Sequence, residues 1–189
     1  MSSSKSKHRR SLFGIRAAIR YSDLLSAPVV NYFTAAFFTG LRPSELIGVR
    51  WSDVDFSRRL VRVQRAIVRG KAKAKTKTKT KTVRDVDLNV RALAAFEAQR
   101  LHTQLAGGVV FNNPATGKPW ADIQTQWEIW NLCLRRCKLR YRVPYQTRHT
   151  FATLALHLAG ARPGYVARQL GHANTGMLFN VYAKWIKQS

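Results

Sequence analysis

Three short stretches of this chain carry side chains that together could handle a phosphate ester. Arg42 stands in TGLRPSELIGVRWSDVDF with Glu45 three residues on. PYQTRHTFATLAL brings Tyr145, Arg148 and His149 close in sequence, and LGHANTGMLFNVYAKWI sets His172 ahead of Tyr182. An arginine stays charged at any working pH and can hold two nonbridging phosphate oxygens at once as negative charge builds on them. A phenol, with a pKa of about 10, is a poor nucleophile near neutrality and needs cations beside it. Taken singly, each residue has a blander reading: a lone arginine is ordinarily an exposed helix end, a lone histidine or tyrosine a core or surface residue. Only the set, gathered by the fold, would do chemistry.

Charge points to a partner of matching type. The 189 residues hold 33 Lys and Arg against nine Asp and Glu, a formal charge of +24, far more than solubility requires. Such a charge repels itself in the compact state, so a polyanion that relieves it is expected, nucleic acid ahead of an anionic membrane surface. The 46% hydrophobic content, with five Trp and nine Phe, is enough for one well-packed domain. No apolar stretch reaches the roughly 20 residues of a spanning helix. The opening MSSSKSKHRR is followed by Arg16 and Arg20 rather than the apolar segment of a secretory signal, so a cytoplasmic protein with no membrane partner is expected. Cys133 and Cys137 lie four apart, on one face if helical. No second Cys or His pair at metal-ligand spacing is near them, so they read as reduced and partly buried, and neither metal nor cofactor is expected.

The elements that must position these residues are mostly helical. Residues 1–22 are polar and basic and read as a flexible arm or linker remnant, with the ordered domain over 23–189. LLSAPVVNYFTAAFFTG predicts a buried helix, with Pro28 marking its start and Gly40 stopping it. Pro43 and Glu45 suit the first turn of a second, short helix beginning around Arg42. Residues 60–68 alternate, with Val61, Val63 and Ile67 against Arg62 and Gln64, and residues 83–88 alternate likewise, so the two runs predict an antiparallel hairpin. Asn89 is a plausible N-cap for the next helix, and further helices are expected over 123–134, 147–158, 163–170 and 175–185, punctuated by Gly160 and Gly171. The fold class is therefore mainly α with a small antiparallel β-sheet, an α+β domain with one core.

Between the two predicted strands lies KAKAKTKTKTKT, with lysine at 71, 73, 75, 77, 79 and 81. Period two is strand period, so any extended part turns its lysines to one side as a comb that would neutralise phosphates without reading bases. The alternative is a solvated hairpin tip. Sliding the run by two residues reproduces nearly the same sequence, so register is weakly specified.

In order, spacing and local sequence, the three stretches closely resemble the signature boxes of the tyrosine recombinase and phage integrase family, and the likeness runs from about Phe33 to the end. The resemblance implies a catalytic domain that cuts and rejoins DNA strands through a covalent 3′-phosphotyrosine, without metal or ATP. It implies Tyr182 as nucleophile, Arg42 and Arg148 as the phosphate clamp, Glu45 as an orienting carboxylate and His172 as a further phosphate ligand. Tyr145 stands where relatives usually have histidine. A phenol can donate to phosphate there but cannot accept a proton near neutrality, which shifts that task to His172 or water. His149 points about 100° away from Arg148 on a helix and reads as structural. The family's leaving-group acid is a lysine of the strand hairpin: Lys79, five residues before Arg84, fits best and Lys77 next. Lys71, Lys73, Lys75, Lys77 and Lys81 are expected to contact DNA.

The implied partner is double-stranded DNA at a recombination or attachment site, engaged by a homotetramer on paired sites. Too little chain precedes the first box for the N-terminal clamp domain of relatives, so an isolated catalytic domain or a reduced protein is expected. Two other readings stay open: a non-catalytic, decayed DNA-binding protein, and a type IB topoisomerase-like enzyme.

Overall fold

A computed structural model describes residues 26–68, 70–74, 83–172, 174–176 and 178–179. The expected arm, Lys75, Lys77, Lys79 and Lys81, and Tyr182 lie outside the described residues.

Helix α1, Ala27–Thr39, has Pro28 in its first turn and ends on Gly40, whose φ of 67° is left-handed. It is apolar nearly all round, so it sits inside the domain, against the later helices α3 and α5. Tyr32, Phe33, Ala36 and Phe37 are buried in the core. Gly40 is needed twice over: the turn is left-handed, and a Cβ would stand 2.5 Å from the Phe151 ring. The chain then restarts at once as the single turn α2, Pro43–Leu46, with Arg42 as its N-cap.

Strands β1 (Val54–Asp55), β2 (Leu60–Val63) and β5 (Arg84–Asp87) form an antiparallel sheet in the order β1-β2-β5. Val61 pairs with Val86 and Val63 with Arg84, and the three valines are buried. The expected hairpin between residues 60–63 and 84–87 is thus present, but residues 60–68 are not one strand. At Gln64 the chain leaves this sheet, and β3 (Arg65–Val68) pairs with β4 (Lys71–Ala74) as a separate two-stranded ribbon. The cause is the buried Asp53, which accepts hydrogen bonds from the Gln64 amide at 2.6 Å, the Arg50 backbone at 2.8 Å and the Arg65 guanidinium. A buried carboxylate must be paired, and meeting that demand bends the strand. Val68 faces Lys71, and a turn with Gly70 at φ 72° precedes the lysine run.

Helix α3, Val90–Thr103, starts from Asn89, whose side chain accepts from the backbone of Arg91 and Ala92 at 3.1 and 3.0 Å. Helix α4, Gln124–Arg136, holds Cys133, and Cys137 caps its end; both thiols are free and buried. Burial and the neighbouring Cys137 push the Cys133 thiol up to about 11, so it is inert at neutral pH. Helix α5, Gln146–Thr153, runs on into a π-helical turn, Leu154–Leu158, and α6, Pro163–Leu170, ends on Gly171 at φ 66°. A large core joins α1 to α4 with the sheet, and a smaller cluster of Phe151, Leu156, Val166, Leu170 and Leu178 binds α5 to α6. The domain is mainly helical with a small antiparallel sheet, as the sequence predicts. No helix among the described residues is long and apolar enough to cross a membrane.

Candidate active site

The site forms where α1, α2, α5, α6 and β5 meet. Arg148 stands at its base, 1% exposed. Its Nη1 donates to the Gly40 carbonyl at 2.7 Å and its Nη2 to the Leu170 carbonyl. Those carbonyls cap α1 and close α6, so the buried cation is set between the negative ends of two helices. This arrangement offsets much of what burying an unpaired guanidinium would cost. Burial, then Arg42, pulls Arg148 down to about 10, which leaves it charged at neutral pH.

Above it lies a carboxylate shared by two arginines. Glu45 is 2% exposed and accepts from the Arg42 backbone at 3.0 Å and from Arg42 Nη1 at 3.0 Å. It also accepts a bidentate pair from Arg84, Nη1 to Oε1 at 3.1 Å and Nη2 to Oε2 at 2.9 Å. Arg84 comes from β5, 39 residues away, and its Nε donates to the Gln169 carbonyl at 3.0 Å. Arg42 is the open member, its side chain 36% exposed against 9% for Arg84. Two guanidiniums thus bond this carboxylate and Arg148 acts on it through its charge, so positive charge is in surplus at the site and Arg42 is its most exposed member.

His172 follows the left-handed Gly171 and is half-buried. Its Nδ1 is buried without a hydrogen-bond partner among the described residues. Burial, followed by the charges of Arg148, Arg42 and Arg84, holds its imidazole down to about 4, so it is neutral at pH 7. Tyr145, 39% exposed, stands at the start of α5 with its ring edge-on to His149 at 5.3 Å. His149 is half-buried and is shifted downward by burial and then by Arg148.

Of the residues singled out in the sequence, Arg42, Glu45, Tyr145, Arg148 and His172 thus come together. Arg84 was visible there as a strand residue. It entered through the alternation of residues 83–88 and as the landmark for Lys79, neither of which says anything about the guanidinium's partner. Lys71 is exposed in β4 and Lys73 belongs to the same strand. Among the described residues no cluster of His, Cys, Asp and Glu could hold a metal.

Helices gathered around a small sheet thus bring three arginines and a histidine to one site. The chain belongs to the phage integrase family, whose model matches residues 15–188. It is 28% identical over 183 residues to IntQ of Escherichia coli K12, a protein named as defective, covering 84% of this chain and 46% of that one. It is 31% identical over 172 residues to a XerC-like tyrosine recombinase of Caldanaerobacter subterraneus subsp. tengcongensis, covering 79% and 44%. In fold it is similar to the Tn1549 transposon integrase solved in complex with circular intermediate DNA, with a TM-score of 0.74, 20% identity and coverage of 100% of this chain and 62% of that one. The chain spans less than half the length of the curated relatives it matches.

Proposed function

We propose that this chain is the catalytic domain of a tyrosine-type site-specific recombinase, which cleaves and rejoins DNA strands through a 3′-phosphotyrosine on Tyr182. The observation that carries the reading is the cluster of Arg42, Arg84 and Arg148 about the buried carboxylate of Glu45, beside His172, whose Nδ1 has no hydrogen-bond partner among the described residues. Such a pocket suits an oxyanion: preorganised guanidiniums in a partly dry setting stabilise charge that builds on a phosphorane's nonbridging oxygens. Arg42, the open cation, meets the phosphate, and Arg148 adds its charge from beneath. His172, neutral at working pH, can accept a hydrogen bond from the phenol of Tyr182 or, once a phosphate raises its affinity for a proton, donate one. Tyr145 can donate a hydrogen bond from its phenolic O–H to the phosphate from the exposed rim.

Attack by the Tyr182 oxygen on phosphorus, its phenolic proton passing to His172 or to water, forms the phosphotyrosine bond and breaks the bond to the 5′-oxygen, which takes up a proton from Lys79 and leaves as a hydroxyl. Attack by a 5′-hydroxyl of the second strand reverses the step. Lys71, Lys73, Lys75, Lys77 and Lys81 bind the DNA backbone, and a homotetramer holds two sites together. The protein would act in the bacterial cytoplasm, where its DNA lies, as the product of a phage or mobile element.

The test is incubation with a nicked suicide duplex of candidate attachment sequence, read on a denaturing gel. A covalent adduct from the wild type that disappears in Tyr182→Phe is expected. An adduct that survives Tyr182→Phe, or none on any attachment sequence, overturns the mechanism. Relaxation of plasmid lacking such a site would assign the chemistry to a topoisomerase instead.

A further inference from the structure

We propose that Arg84 is a positioning residue of this centre, a fastener that aims the Glu45 carboxylate, and with it Arg42, while locking the strand that follows the lysine run to the loop that presents His172. The inference rests on the recombinase reading above.

Arg84 spends its guanidinium on two elements at once. Both outer nitrogens go to Glu45 in α2, and Nε goes to the carbonyl of Gln169 in α6. Its contact with the next residue pair is equally close: a Cβ at Gly171 would stand 2.8 Å from Arg84 Cζ and Nη1, so the guanidinium lies flat against the glycine that precedes His172. The other end of β5 is tied to the same helix, because the Gln169 amide donates to Asp87 Oδ2 at 2.7 Å and its oxygen accepts from the Asp87 backbone at 3.1 Å. Strand β5 cannot slide or tilt without disturbing all of these bonds. The candidate general acid Lys79 lies five residues upstream of Arg84 in sequence, so the strand that fixes where that segment ends is the strand clamped to the phosphate-binding groups.

A mere packing cation would not need this geometry. Two parallel N–H groups meet two carboxylate oxygens, which sets direction as well as charge, and lysine cannot reproduce it. With Glu45 held from one side, its remaining acceptor directions point at Arg42, whose backbone and side chain both bond to it. The charges that bear on His172 among the described residues come from three elements: Arg148 and His149 of α5, Arg42 of the α2 cap, and Arg84 of β5. Arg84 is one of three permanent cations in that set.

Two measurements on the full chain test the proposal. NMR titration of the His172 ring without DNA should show Arg84→Gln moving its midpoint up, since a cation is lost, and Arg84→Lys leaving it low. Adduct formation on the suicide duplex, measured from pH 5 to 8, should fall at least about tenfold in Arg84→Lys, because a misaimed clamp costs rate even with charge retained. Arg84→Gln should show an added inflection in the same range. Arg84→Lys keeps the buried charge, so it stays informative even when Arg84→Gln does not fold. Folded variants with the wild-type rate, pH profile and His172 midpoint would overturn the proposal. If the wild type makes no Tyr182 adduct while the His172 midpoint moves as stated, the placement of Arg84 stands and the recombinase reading falls.

Discussion

Glu45→Gln should be among the most damaging single substitutions in the chain, although it changes only one atom's identity. Glu45 is 2% exposed and accepts from both outer nitrogens of Arg84, itself only 9% exposed. Breaking a buried pair by removing one partner costs about 3 kcal/mol or more, because the remaining charge is left uncompensated. The pair with Arg42, whose side chain is 36% exposed, adds at most about 1 kcal/mol, since solvent screens it. A glutamine amide keeps one acceptor but turns its NH2 toward a guanidinium, so a hydrogen bond becomes a donor–donor contact. A loss of about 3 kcal/mol in a domain of this size lowers the melting temperature by roughly 6–12 °C. Urea and thermal unfolding followed by circular dichroism would measure it. In the double variant Glu45→Gln with Arg84→Met, at least half the loss should return, because no buried cation is stranded. A Glu45→Gln protein within about 1 kcal/mol of wild type would show that the carboxylate does not hold the cluster together.

Several further outcomes are open to measurement. His172 is held near 4, below its ordinary value of about 6.5, so the unfolded chain binds a proton that the folded chain refuses. Its contribution is therefore steady above that ordinary value, is lost as pH falls toward 4, and is level below it; the difference in urea stability between wild type and His172→Asn should change between pH 7.5 and 4.5, and a constant difference would contradict the shift. Gly40→Ala combines a left-handed turn with a clash on Phe151 and should cost about 2–4 kcal/mol in urea unfolding; a near-neutral result would contradict the packing described for the end of α1. Replacing all six lysines of the 71–81 run by glutamine should flatten the dependence of log K for duplex DNA on log salt by about 0.9 for each lysine that neutralises a phosphate. An unchanged slope would remove the run from the DNA interface.

Much of the site was legible because its signals are local. Pro28 and Gly40 delimit α1, Pro43 and Glu45 mark the turn after Arg42, and Asn89 caps α3, each through bonds made within a few residues. Arg84 was hidden because its partners, Glu45 and the Gln169 carbonyl, lie 39 and 85 residues away, and alternation in a strand reports only which face a residue occupies. The break at Gln64 was hidden for the same reason, since it answers to Asp53, eleven residues earlier. The downward shift of His172 follows from three converging arginines and burial, neither of which a Leu-Gly-His sequence reveals. The lysine run resists reading for a different cause, its own repetition, which leaves register unspecified.

The most direct test of the chemistry is to trap the covalent complex on a suicide duplex, digest it with protease and nuclease, and map the attached nucleotide by mass spectrometry. A nucleotide 3′-phosphate on the peptide containing Tyr182, and on no other, is the predicted result. Attachment at Tyr145 or at any other residue, or a free DNA end with no peptide attached, would contradict it.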